Sequence, residues 1–226
     1  MMDHITVKGQ GGTFDAYIAR PKILPASAVV VLQELFGVNA DIRRHCDELA
    51  EQGYLAVAPD LYWRQEPGVD LNVTTEADWQ HGLRLYSAYD RDAGVKDIKD
   101  TIDAVRSLPE CNGKVALLGY CLGALMVFMT AVRNDGIDAA VWYHGADTEK
   151  YLGEVDGLHA PILVHLPRRM SSFPRLHKRR LEQHSLRNQM RRCTATLGRV
   201  MLFPATTANT TTPQQLTLPT VGRANS

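Results

Sequence analysis

The sequence contains no apolar run long enough to cross a bilayer. Its opening residues, MMDHITVKGQGG, lack the basic-then-apolar order of a secretory signal, so a cytoplasmic protein is expected. Cysteine is sparse: Cys46, Cys111, Cys121 and Cys193 are scattered, and none forms a Cys-x-x-Cys pair. Neither a zinc site nor a disulfide framework is therefore indicated. Carboxylates all but vanish from the last part of the chain. No Asp follows Asp156, and Glu182 is the single acidic residue after Leu166. The formal net charge of zero hides this division: 24 acidic and 14 basic residues precede Pro167, against 1 and 11 from there onward. A neutral total does not exclude a local contact with an anionic partner.

What is present suits one globular domain. The chain has 226 residues, 45% hydrophobic and 22% charged, enough to bury a sizeable core. TFDAYIARP alternates and reads as an early strand. SAVVVLQEL (27–35) is a β-branched run ending at a Gly-containing loop, and LAVAPDLY is a second buried strand stopped at Pro59. Between them, Ile42, Cys46, Leu49 and Ala50 recur at helical spacing, with Gly53 as a C-terminal cap. Two helical stretches lie within 76–107, the second from about Ala93 to Ser107. KVALLGY, IDAAVWYHG and APILVHL read as further strands, with LGALMVFMTAVRN as the helix between the first two. This rhythm implies an α/β fold with a mainly parallel sheet and helices on both faces. Its ligands gather at the carboxyl ends of the strands. The pattern stops at Pro167, so residues 1–166 form the expected domain. Residues 167–226 are a basic, Thr/Pro-rich tail that reads as unstructured.

One turn carries chemistry. GYCLG (119–123) joins a predicted strand to a predicted helix as Gly-x-nucleophile-x-Gly, the pattern of a nucleophile elbow. Gly119 and Gly123 flank the turn because larger side chains would collide there. Cys121 would project above the sheet, with the N-terminus of the following helix directed at its sulfur. That arrangement favours a thiolate and offers N–H groups to an oxyanion. The bland alternative is a packed core cysteine, and the strand-turn-helix setting favours the nucleophile. Glu34, at the ligand end of an apolar strand, is either a solvated loop carboxylate or a site residue. A charge is otherwise costly at that position. His144 reads equally as a pocket-lining residue and as a satisfied structural histidine. Arg84 reads as a solvated helix residue.

GYCLGA, VLQELFGVN, DELAEQGYLAVAPDLYWRQEPG and AGVKDIKDTIDAVRSLP, in this order and spacing, resemble the dienelactone hydrolase family across nearly all of residues 1–166. The resemblance implies an α/β-hydrolase fold and hydrolysis of small esters and lactones through an acyl-enzyme. A Cys-Asp-His triad would do the chemistry, with no metal or organic cofactor. It implies Cys121 as nucleophile, Glu34 as the carboxylate that contacts the resting thiol and swings aside, and the N–H groups of Leu35 and Leu122 as oxyanion hole. Trp79 and Leu83 stand where well-known members carry an Arg and a Tyr that bind a substrate carboxylate, so this chain departs from the dienelactone pattern there. A small-molecule substrate is expected, with no membrane or nucleic-acid partner and a monomeric state.

The rest of the triad is missing. The family places its Asp in a G-x-x-D-x-F segment and its His in a G-H-x-F segment; the corresponding places here hold Arg169–Met170 and Val200–Met201. Of the later histidines, His165 belongs to a strand, and His177 and His184 have no Asp to orient them. Shifting the reading frame of the implied codons by one constant step from Pro167 permits AEDEFISKA, YPGPGHAF and GNNGEHYDAAAADAANGR. These are family-like segments whose Asp and His fall at those two junctions. The tail therefore reads as an out-of-frame segment, and the chain as written as a hydrolase of impaired activity. The alternative is a non-catalytic binding protein whose basic tail engages an acidic partner. Resequencing the gene across codons 160–205 is expected to reveal a one-step frame change near codon 166; a clean frame with no plausible shift removes the idea.

Overall fold

The computed structural model describes residues 3–165. Seven strands form one sheet in the order β1-β2-β4-β3-β5-β6-β7. They are β1 (His4–Gly9), β2 (Gly12–Ala19), β3 (Ala26–Leu32), β4 (Leu55–Pro59), β5 (Cys111–Tyr120), β6 (Ala139–Tyr143) and β7 (Ile162–His165). β1 and β2 are antiparallel, as are β2 and β4; every pairing from β4 onward is parallel. The sequence pattern gives no sign of β1, whose short polar-edged segment is exposed at one border of the sheet. β3 and β4 are almost wholly buried because helices cover both faces.

Helix α1 (Ala40–Glu51) packs on one face against β2, β3 and β4; α3 (Arg91–Arg106) and α4 (Leu122–Arg133) pack on the other. Each boundary has a local cause. Asn39 Oδ1 accepts from the Ile42 N–H to start α1, and Gly53, at φ 95°, follows its C-terminal cap. Ile42, Cys46 and Leu49 form its buried stripe. Asp90 caps α3 through the N–H groups of Asp92 and Ala93, and Thr75 caps α2 (Glu76–Ala88) through Asp78. α4 is apolar all round and buried from Leu122 to Val132, as a central helix must be. A 3-10 helix over Thr148–Gly157 packs against α4. The predicted helix start near Ala93 falls two residues inside the observed one, since Asp90 rather than a hydrophobic residue sets the boundary.

The loop after β4 is pinned to α3 by a buried carboxylate. Asp97, 2% exposed, accepts from Trp63 Nε1 at 2.9 Å and from both Arg64 Nε at 3.1 Å and Arg64 Nη2 at 2.8 Å. Trp63 in turn stacks on Phe14, and the Arg64 guanidinium lies over Trp63. Removing the carboxylate strands these donors. Asp97→Ala is expected to cost about 3 kcal/mol of unfolding free energy, measured by chemical denaturation, whereas Glu66→Ala, an exposed residue of the same loop, should cost well under half of that.

Candidate active site

Strand register brings three candidate residues into one row. β3 and β5 align Leu32 with Gly119, and β5 and β6 align Tyr120 with Tyr143. Continuing each strand past its end sets Glu34 beside Cys121 and Cys121 beside His144. The hydrogen bond from the Cys121 N–H to the Tyr143 carbonyl, 3.2 Å, fixes the second pairing.

Cys121 is the N-cap of α4 and sits at φ 51°, a left-handed conformation that a non-glycine residue adopts only under local constraint. The constraint is the close approach of α4 to β5 and to the end of β3. A Cβ on Gly119 would strike the Gly123 backbone, and one on Gly123 would strike the carbonyls of Leu32 and Gln33. The Leu122 N–H lies near the cysteine sulfur and favours its charged form. Cys121 is half-buried, whereas Cys46 is fully buried in the core beneath α1. Burial pushes the Cys121 thiol up to about 11; the Glu34 and Asp147 carboxylates push the same way, and only the Leu122 N–H opposes them. Burial also raises the Glu34 carboxyl, with His144 offsetting part of the effect.

The other named residues fall around this point. Leu35 and Leu122 are buried, Leu35 in the loop after β3 and Leu122 at the first turn of α4. The Leu35 carbonyl and side chain lie against Gly82 of α2 so closely that a Cβ there would not fit. His144, at φ 41°, is exposed at the end of β6. His165 is a packed strand residue. Its ring stacks on Tyr143 at 4.3 Å, and burial lowers its pKa. His177, His184 and the Arg169–Met170 and Val200–Met201 junctions lie outside the described residues. Among the described residues no group of His, Cys, Asp and Glu could hold a metal ion, and no helix is long and apolar enough to cross a membrane.

Three features of the site escape the sequence reading. Asp147, at φ 62°, accepts from Tyr86 Oη at 2.7 Å, and pairs with Lys150 at 2.8 Å and Arg91 at 3.7 Å. These partners, Lys150 first, hold its carboxyl below the usual range. Tyr62 is fully buried, within electrostatic reach of Cys121, and its hydroxyl has no partner among the described residues. Gln33 Oε1 accepts from the Leu61 N–H, tying the Glu34 loop to the loop after β4. Only Asp147 had a local signal, its place just past a strand end, and nothing in sequence reveals its left-handed backbone.

The profile of the dienelactone hydrolase family matches residues 14–195. This chain belongs to that family. It is 42% identical over 156 residues to the carboxymethylenebutenolidase of Pseudomonas putida, covering 69% of this chain and 66% of the relative. It is 35% identical over 179 residues to carboxymethylenebutenolidase 1 of Cupriavidus pinatubonensis, covering 79% and 76%. The chain thus spans just under two thirds of the Pseudomonas relative. A crystal structure of a Klebsiella pneumoniae protein assigned as a dienelactone hydrolase superposes with a TM-score of 0.67 at 26% identity, covering 82% of this chain and 80% of that one. The mostly parallel sheet with its helices is that of an α/β-hydrolase.

Neutralising Glu34 removes a negative charge beside the thiol, so the thiolate becomes easier to form. Glu34→Gln is expected to lower the midpoint of Cys121 alkylation by iodoacetamide from about 11 by roughly one unit, followed peptide by peptide in mass spectra. An unmoved midpoint would mean that burial and Asp147 set it without Glu34.

Proposed function

We propose that this chain is built to hydrolyse carboxylic esters and lactones through Cys121. The observation that carries the reading is the cysteine held at φ 51° at the N-cap of α4, in a turn so tight that neither Gly119 nor Gly123 could carry a Cβ. The thiolate attacks the carbonyl carbon, and the tetrahedral oxyanion is held by the Leu35 and Leu122 N–H groups. The alkoxide leaves and a Cys121 thioester remains for water to cleave. In the resting protein the raised thiol is a protonated sulfur beside a carboxylate, which guards it against adventitious reaction. Displacing the Glu34 charge is the step that activates it. The family membership and the curated carboxymethylenebutenolidase relatives support ester or lactone as the substrate class.

The same proposal takes residues 167–226 as an out-of-frame segment, so the base and its orienting acid are lost. The protein is read as a cytoplasmic monomer that needs no metal or organic cofactor. Without the base, turnover should fall by on the order of a thousandfold or more relative to an intact triad. Acylation of the sulfur by an activated ester persists. With p-nitrophenyl acetate, one equivalent of nitrophenolate is expected per chain, followed by a slow steady rate. Both phases should vanish in Cys121→Ala, and the steady rate should return when the frame is restored. No release dependent on Cys121, together with salt-sensitive binding of nucleic acid, would favour the non-catalytic binding protein instead.

A further inference from the structure

Tyr62 keeps a hydroxyl in a place where it destabilises the resting protein. Its side chain is fully buried in the apolar cluster that also holds Leu122, and its Oη has no hydrogen-bond partner among the described residues. A buried donor left unpaired is unfavourable, and phenylalanine would fill the same volume without that penalty. The hydroxyl therefore calls for an acceptor that exists only in some other state of the site.

The backbone places this residue beside the turn at Cys121. β3 pairs with β4 on one side and with β5 on the other, so that Val30 faces both Val57 and Leu117. Four residues further on, the same row holds Glu34, Leu61 and Cys121. Two contacts keep the row together past the strand ends. Gln33 Oε1 accepts from the Leu61 N–H at 3.2 Å, and the Gln33 carbonyl lies so close to Gly123 that a Cβ there would not fit. Tyr62 follows Leu61 as Leu122 follows Cys121, and its N–H donates to Asp60 Oδ1 at 2.9 Å. The Tyr62 ring meets Tyr89 edge-on at 5.7 Å.

The titratable groups that face the Tyr62 hydroxyl are Cys121 from the turn, Tyr86 from α2, Arg91 from α3 and Asp60 from its own loop. Tyr86 is committed to Asp147, Arg91 offers only donors, and both oxygens of Asp60 accept from backbone N–H groups. The acceptor still to be created is an anionic sulfur. Around that sulfur, burial and the carboxylates of Glu34 and Asp147 oppose a thiolate, with the Leu122 N–H acting the other way. The two other buried tyrosine hydroxyls without a partner are placed differently. Tyr89 Oη lies over Gly94 of α3, and Tyr143 stacks between Tyr120 and His165 on the α1 side of the sheet.

We propose that the Tyr62 hydroxyl donates a hydrogen bond to the Cys121 sulfur in its thiolate form, engaging as the thiol proton leaves. This inference deepens the hydrolase reading above and rests on it. Tyr62 keeps its own proton, because burial holds the hydroxyl well above the ordinary tyrosine range. In acylation the thiol proton passes to buffer base, the sulfur–carbon bond forms, the ester C–O bond breaks and the alkoxide leaves. Tyr62 contributes only the hydrogen bond that stabilises the anionic sulfur before it attacks.

The test reads the thiolate through the pH midpoint of Cys121 alkylation by iodoacetamide, followed at the Cys121 peptide by mass. Glu34→Gln is the background, since its lower midpoint leaves room for an upward shift. Adding Tyr62→Phe should raise the midpoint by about one unit, so that alkylation below it slows about tenfold. Adding Tyr89→Phe instead, which removes a likewise buried and unpartnered hydroxyl, should leave the midpoint in place. Tyr62→Phe should unfold at no lower denaturant concentration than its parent, because no hydrogen bond of the resting protein is lost. In the otherwise unaltered chain, Tyr62→Phe should slow acylation of Cys121 by p-nitrophenyl acetate about tenfold as well. A midpoint unmoved by Tyr62→Phe, or raised equally by Tyr89→Phe, overturns the inference and leaves the hydrolase reading standing while the ester still acylates Cys121. Failure of the ester to acylate Cys121 in the unaltered chain overturns both.

Discussion

The site depends on how closely β5 and α4 approach at residues 119–123. Two glycines let the backbones meet where any Cβ would collide with a main-chain carbonyl. The residue between them is driven into left-handed backbone as a result. Strain of this kind persists only where surrounding structure overdetermines it. Here the surroundings are the apolar α4, buried along its length, and the central strands β3, β4 and β5. The core thus holds Cys121 at the end of the sheet, and the parallel register sets Glu34 and His144 on its two sides.

Electrostatics at that point run against the helix. A helix N-terminus lowers the pKa of a thiol, and the Leu122 N–H does so here, but burial and two carboxylates outweigh it. The result is a sulfur whose thiol is held well above the ordinary cysteine range. Asp147 is itself stabilised as an anion by Lys150 and Tyr86, so its field at the sulfur is a fixed feature, whereas the buried Glu34 carboxyl is the one poised to respond.

Much of the architecture was legible in the sequence because period and composition suffice for buried strands. Runs such as ASAVVVL and LAVAP belong in a parallel sheet, and Gly-Tyr-Cys-Leu-Gly announces a strand-to-helix turn by its glycines alone. β1 was not legible, since an exposed border strand has no apolar run to reveal it. The start of α3 was set by a capping aspartate, which a search for apolar periodicity passes over. Around the site, Glu34 and Cys121 could be named because each closes a strand. Tyr62 and Tyr86 could not, because their places follow from the loop after β4 and from α2 folding back from distant parts of the chain, and Asp147 offered no more than its place just past a strand end. The basic segment from Pro167 onward announces its break by charge alone.

α2 differs from the other helices in how it is supported. It shares no extensive contact with any strand; it reaches the core through Leu85, is braced by the Gln65 amide, and is held at its ends by Leu35–Phe36 and by Asp147. A beam carried on loops can be shifted or resurfaced without disturbing the sheet that positions Cys121. Lineages sharing this scaffold therefore have room to diverge along α2 while the turn at Cys121 stays put.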